Sequence, residues 1–253
     1  MNTNDVKSAK RVLTILQFFA QTRAPASLTQ ISAALGFPKS SCLALLDTLE
    51  GEGYAHQTGG RYYLTRRWFN EARAIAEHDQ LAARVRPVLE ELRDKLRETL
   101  ILAQRSDSQV LYLDVAEPER IVRFTARTGE LKPLHAAASG RALLAAMAPA
   151  EREALLARMP LPRFTDQTPT TRDALQKMLE EGDRRGYHVN LGEHQADTLS
   201  VAAPVVLYGT PYALTVGAPL ERAKPQVRQI GGMLVEAAAR LAAEVGRANA
   251  APA

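Results

Sequence analysis

The stretch that most constrains this chain is residues 27–64, where two short helical patterns, a glycine turn and a hairpin signal follow one another. Ser27-Leu28-Thr29-Gln30 has the S-x-x-Q spacing of a capping box, in which the Ser and Gln side chains satisfy backbone donors at a helix start. A helix is therefore predicted from Leu28, with Leu28, Ile31 and Leu35 on its apolar face and Gly36 supplying the left-handed residue that ends it. Pro38 opens a second helix. Along it Leu43, Leu46 and Leu49, with Cys42 and Leu45 beside them, form one apolar stripe. Lys39, Ser40, Ser41 and Ala44 fall on or near the opposite face, and short side chains with one lysine on an exposed first turn suit a major groove. After Gly51 and Gly53, residues 54–57 and 61–64 flank Thr58-Gly59-Gly60 as a hairpin. The whole reads as a winged helix-turn-helix, a geometry that also occurs in folds binding no nucleic acid.

Charge placement favours the nucleic-acid reading. Residues 1–75 hold nine Lys/Arg against five Asp/Glu, so the remainder has 32 − 9 = 23 basic and 28 − 5 = 23 acidic residues. All the excess positive charge lies in the head, the footprint of a phosphate binder. A chain of 253 residues leaves room for a second domain with its own core. The single cysteine, Cys42, excludes an intramolecular disulfide and a Cys-rich zinc site, and its place on the apolar stripe makes it a packing residue. No segment resembles a signal peptide and no apolar run approaches the roughly 18 residues of a membrane span. A cytoplasmic protein is expected.

Residues 1–6 read as a loose polar tail. A first helix is predicted over 8–21 and closes before Pro25. Beyond the wing, a long helical stretch runs to about residue 100. Trp68, Phe69, Ala72, Ile75 and Ala76 form one stripe on it and Leu81, Val85, Val88, Leu89, Leu92 and Leu96 another, with a restart at Asp79 and a kink at Pro87. Such stripes need a partner, and pairing with a second subunit is the expectation. Strands are predicted at 100–103, 109–113 and 121–124, helices at 139–147, 149–157 and 172–185, then strands at 187–191, 199–206 and 212–216, and a last helix over 225–245. That order indicates an α+β domain with an antiparallel sheet packed against helices. The predicted domains are a winged helix-turn-helix at 1–65, a helical linker and dimerisation segment at 66–98, and an effector domain at 99–248.

Three stretches resemble the IclR family of bacterial transcription regulators. They are the head from Ser27-Leu28-Thr29-Gln30-Ile31 to Gly53-Tyr54, the segment Pro133-Leu134-His135-Ala136-Ala137-Ala138-Ser139-Gly140-Arg141-Ala142, and Gly186 through Val205 with Glu193, Ser200-Val201-Ala202 and Pro204-Val205 in register. The resemblance implies a GAF-like effector domain, dimers or dimers of dimers, and control of a nearby catabolic operon. Ala44 stands where the family usually shows Arg or another polar residue, Thr65 replaces the usual Gly after the wing, Asn190 replaces Asp or Ser, and Val206-Leu207 replace an aromatic and acidic pair.

By that register the effector-contacting positions are Ala138 and Ser139 at a helix start, Asn190, Ser200, Thr215 and Gly217. Free N–H groups at a helix start favour an anion, which points to a small organic or aromatic carboxylate. Asn190 in place of Asp removes a charge that would repel it. On a blander reading Ser139 only caps its helix and Asn190 only sits in a turn. Leu102, Leu111 and Val201 are candidates to line an aromatic or alkyl body. On the DNA side Lys39, Ser40, Ser41 and Ala44 are assigned to the groove, and Arg61, Arg66 and Arg67 to the backbone or minor groove of a double-stranded, palindromic operator.

His135, His188 and His194 have no metal-site spacing, and no G-x-S-x-G elbow, P-loop or dinucleotide-binding glycine pattern is present. Neither an enzyme, a cofactor nor a metal is expected. The alternative is a small-molecule-binding or protein-interaction module whose winged helix contacts protein.

Overall fold

The computed structural model describes residues 6–250, so the tail expected at residues 1–6 lies outside it except for Val6, as do the last three residues of the Ala/Pro-rich end. The chain divides between Asp79 and Gln80 into two compact units.

The head runs α1 (Lys7–Thr22), β1 (Ala26–Ser27), α2 (Leu28–Leu35), α3 (Lys39–Gly51), β2 (Ala55–Thr58), β3 (Arg61–Leu64) and α4 (Arg67–Glu77). The capping box forms: Gln30 N–H donates to Ser27 Oγ at 3.3 Å and Ser27 N–H to Gln30 Oε1 at 2.9 Å. Gly36 ends α2 with φ +67°, and Pro38 caps α3 rather than opening it. The wing pairs Thr58 with Arg61 around Gly59 and Gly60, both at positive φ as a tight hairpin turn requires. β1 adds to β3, completing a three-stranded sheet that the sequence patterns did not include. Ile15, Ile31, Cys42, Leu46, Leu49 and Tyr62 make the core. Leu43, assigned above to the apolar stripe, is exposed, because the buried stripe runs through 42, 46 and 49 at helical spacing. Cys42 is buried as a packing residue, and burial raises its thiol pKa.

The body runs α5 (Gln80–Leu96), β4 (Thr99–Ser106), β5 (Gln109–Ala116), β6 (Leu131–Pro133), α6 (Ala138–Ala145), α7 (Pro149–Arg158), α8 (Arg172–Arg185), β7 (His188–Leu191), β8 (Thr198–Leu207), β9 (Thr210–Pro219), α9 (Leu220–Ala223) and α10 (Val227–Ala250). Six strands form one antiparallel sheet in the order β6-β5-β4-β9-β8-β7, the α+β, GAF-like arrangement. Side chains alternate across it. Leu100, Leu102, Val201 and Leu214 pack with α5 and α10 on one face, while Ile101, Ala103, Ala202 and Ala213 pack with α6, α7 and α8 on the other.

Two expectations are corrected. The long helical stretch breaks at His78 and Asp79, where a restart was expected, but its second stripe (Val85, Val88, Leu89, Leu92) is buried in the body's own core and needs no second subunit, so only the first stripe leaves large apolar groups, Phe69 and Ile75, exposed. Residues 121–124 are not a strand. Ile121 is 99% exposed, and the local backbone is satisfied by side chains from afar: Arg222 donates to the Val122 carbonyl, Thr99 Oγ1 to that of Phe124, and Ala126 N–H to Glu117 Oε1. The third strand of that group is β6 instead, pairing Lys132 with Val110.

Candidate nucleic-acid interface and effector cavity

In the head, α3 is anchored by Cys42, Leu46 and Leu49, which turns its opposite face to solvent. Lys39, Ser40 and Ala44 are exposed and Ser41 is half-buried. Helix α3 has no side-chain cap, so its first-turn N–H groups face outward beside Lys39. Lys39 makes no ion pair among the described residues, which leaves its charge available to a polyanion. Arg61 opens β3 at the wing and donates to the Pro25 carbonyl at 3.3 Å. Arg66 is exposed, its guanidinium 5.6 Å from the Phe69 ring.

Arg67 has an internal role as well. Its Nε donates to Glu71 at 2.9 Å, a second nitrogen donates to the Glu52 carbonyl, and the guanidinium lies 4.5 Å above the Tyr54 ring. Tyr54 in turn donates to Glu71 at 2.6 Å, and these two donors hold the Glu71 carboxyl below its ordinary pKa. Arg67 is a clamp between wing and α4, with two of its five N–H donors engaged there.

In the body, α6 starts where the sheet and the β7–β8 turn converge. Gly140 is required there, since a Cβ would lie 1.9 Å from the Leu134 carbonyl oxygen. The buried Arg141 side chain donates to Glu193 Oε2 at 2.7 Å, to the His135 carbonyl at 3.1 Å and to the Val189 carbonyl. Asn190 is 4% exposed, its amide donating to the Ala136 carbonyl at 2.6 Å and accepting from Glu193 N–H at 2.9 Å. These bonds fix the backbone that leads into α6. Ala137 is the N-cap residue and offers no side-chain acceptor, so Ser139 is not a cap and the first N–H groups of α6 stay without one.

A cavity of about 20 Å³, space for little more than one water, opens beside this helix start. Asn190, Ser200, Thr215 and Gly217 all line it, together with Ala137. Ala138 and Ser139 are buried immediately after Ala137 but do not line it. The Thr215 hydroxyl has no hydrogen-bond partner although the residue is 1% exposed. Gly217 accommodates the Phe124 ring, which a Cβ would meet at 2.5 Å. Leu102 and Val201, named as liners from the sequence, pack on the opposite sheet face, and Ile101 stands in the cavity instead.

Sequence reasoning missed Tyr112, Phe124, Lys132, His194 and Thr198 as liners. Lys132 and His194 each adjoin a matched stretch or signature residue, Pro133 and Glu193, so proximity in sequence was the available signal. Lys132 is 11% exposed and pairs with Glu130 at 2.7 Å. Phe164 contacts His194 edge-on at 4.9 Å and His135 at 5.7 Å. Burial lowers the pKa of both histidines, and the positive charge of Lys132 adds to the effect at His194. His188 lies apart, beneath Gly182, its pKa pushed down to about 3 by burial and then by Arg141 and Arg185. The described residues contain no group of three His, Cys, Asp or Glu placed to hold a metal ion.

Two family models match the chain. The IclR helix-turn-helix domain covers residues 8–59, and the bacterial transcriptional regulator IclR C-terminal domain covers residues 73–243. The chain belongs to the IclR family. Among its relatives are the transcriptional repressor IclR of Escherichia coli K12, 27% identical over 93% of this chain and 89% of the relative, and the probable transcriptional regulator SauR of Cupriavidus necator, 30% identical over 96% and 97%. Among solved structures, the Thermotoga maritima IclR shares the fold with a TM-score of 0.79 at 19% identity, covering 96% of this chain and 100% of that one. An IclR homolog of Microbacterium hydrocarbonoxydans, complexed with 4-hydroxybenzoate, matches with a TM-score of 0.75 at 27% identity over 95% and 99%. The matched families and relatives are transcription regulators rather than enzymes, and the helix-turn-helix of this IclR-family chain is a DNA-binding domain. No helix among the described residues is long and apolar enough to cross a membrane.

Proposed function

We propose that this chain is a ligand-responsive regulator that binds a palindromic operator as a dimer or tetramer and controls a catabolic operon in response to a small organic or aromatic carboxylate. Lys39, Ser40, Ser41 and Ala44 meet the major groove, while Arg61 and Arg66 meet the backbone or minor groove. The effector lies at the start of α6 against Ser200, Thr215 and Gly217, with Ala138 and Ser139 contributing backbone N–H groups once the site opens and Asn190 holding the segment that leads into the helix. One observation carries the reading of the body: a buried hydroxyl without a partner, Thr215, lines a cavity that also holds a lysine and two aromatic rings. The complex of the Microbacterium homolog with an aromatic acid supports it. The exposed Phe69 and Ile75 of α4 support self-association.

Ligand can change DNA affinity only by binding the competent and incompetent arrangements unequally, and couplings of about 1–3 kcal/mol give roughly 5–150-fold changes. The head is tested by binding to the upstream intergenic DNA across a salt series. Lys39→Ala is expected to weaken binding and lower the salt slope by about 1. An unchanged slope in both Lys39→Ala and Arg66→Ala would move the DNA surface elsewhere, and no binding at any salt would favour a winged helix that contacts protein.

A further inference from the structure

The effector cavity contains one cation whose partner can be exchanged. Lys132 projects from β6 into the cavity and is nearly buried, yet its ion-pair partner Glu130 belongs to the turn just outside the strand. Glu130 serves two purposes at once. Its Oε1 accepts from Lys132 Nζ at 2.7 Å, and its Oε2 accepts from Arg127 N–H at 3.1 Å, closing the turn that ends the irregular segment 117–130. Backbone bonds tie the same turn to β5, since Gly129 N–H donates to the Tyr112 carbonyl at 2.8 Å and Tyr112 N–H to that of Glu130 at 3.0 Å. Tyr112 itself lines the cavity, and the Lys132 ammonium lies 6.0 Å from its ring centroid.

A charge buried beside a single carboxylate can be taken by another carboxylate without an unpaired ion being left in the interior, provided the displaced one reaches water. Glu130, with 35% of its side chain exposed, can do so, whereas Lys132 at 11% cannot. The unpartnered Thr215 hydroxyl lines the same cavity and offers the incoming group a hydrogen bond. We propose that Lys132 is the charge-selecting residue of the effector cavity, and that it passes from Glu130 to the effector's carboxylate on binding, which loosens the 127–130 turn. The proposal rests on the reading of this cavity as the effector site. It restricts the effector to acids small enough for a site that must open to admit them, and it gives the site a mechanical output, the loosening of the turn that ends the segment bearing the exposed Ile121 and Val122.

The test uses the full chain with 4-hydroxybenzoate, benzoate and propionate, and 4-hydroxybenzamide as the neutral counterpart, followed by calorimetry and by hydrogen exchange. At least one acid is expected to bind, to slow exchange at residues 138–140 and to speed it at 127–131, while the amide does not speed exchange at the turn. Lys132→Met is expected to weaken the acid at least tenfold and the amide by much less. Glu130→Gln removes the competing carboxylate and is expected to tighten the acid several-fold. Acid binding that survives Lys132→Met within twofold, or that leaves turn exchange unchanged, overturns the handover alone and leaves the cavity as the effector site. Failure of every acid to bind both the wild type and Glu130→Gln overturns the handover together with the acid reading of the cavity.

Discussion

Helices α3 of the head and α6 of the body both begin without a side-chain cap, but α3 starts in solvent beside an unpaired lysine and α6 starts inside the protein beside a paired one. The difference sorts their ligands. Outward N–H groups next to Lys39 can approach a polyanion of any length, and their contribution is screened by salt. Inward N–H groups next to Lys132, Thr215 and Asn190 can serve only a small anion, in a setting where desolvation strengthens each contact. On the proposed function, the same backbone feature serves a polyanion in one domain and a small anion in the other, according to what surrounds it.

The supports of the two helix starts differ as well, and breaking them separately sharpens the contrast. The largest effect is expected from Arg141→Ala, which leaves Glu193 buried without its partner. Such losses cost about 3–5 kcal/mol, so denaturation should show the body destabilised while the head's own transition is unmoved. Acid should act on the same side of the contrast. His188 is held neutral in the fold with a pKa of about 3 against an ordinary 6.5, so the unfolded chain takes up the proton first. Its contribution is complete above pH 6.5 and is lost as pH falls from there towards 3, on the order of a few kcal/mol in total. Thermal melts between pH 7 and 4 should show the body weakening, and His188→Asn should reduce that slope, with His135 and His194 still supplying a part of it. Gly140→Ala belongs with the large effects, because its Cβ would lie 1.9 Å from the Leu134 backbone carbonyl oxygen and only a backbone shift could relieve the clash, so its cost is expected to exceed the roughly 1–3 kcal/mol of ordinary overpacking. Its counterpart on α3, Ser40→Ala, should change stability by less than about 0.5 kcal/mol. Equal losses at the two positions, measured by urea titration, would erase the distinction between an enclosed and an open helix start.

The two regions were also unequally legible in the sequence. Ser27 with Gln30, Gly36, and Gly59 with Gly60 act on neighbours within a few residues, so their pattern names the structure they form. In the body the register-based positions Asn190, Ser200, Thr215 and Gly217 do converge on one cavity. The apolar liners were misplaced because a strand changes face at every residue: Leu102 points away from the cavity and Ile101 towards it. Residues 121–124 look like a strand, but Arg222, about a hundred positions later, satisfies the Val122 carbonyl, and nothing local records that. The clamp at Arg67 was illegible for the opposite reason, because its partners Glu52, Tyr54 and Glu71 are near in sequence yet come together only when wing and helix meet.

The central claim is that an enclosed anion site in the body governs an open phosphate-binding face in the head. The direct measurement is fluorescence anisotropy of the labelled upstream intergenic fragment, titrated with the full chain at fixed salt, with and without saturating 4-hydroxybenzoate or another acid found to bind. The account predicts a change in operator affinity of roughly 5–150-fold on adding the acid that disappears in Lys132→Met. An acid that binds the body and leaves operator affinity unchanged would contradict it.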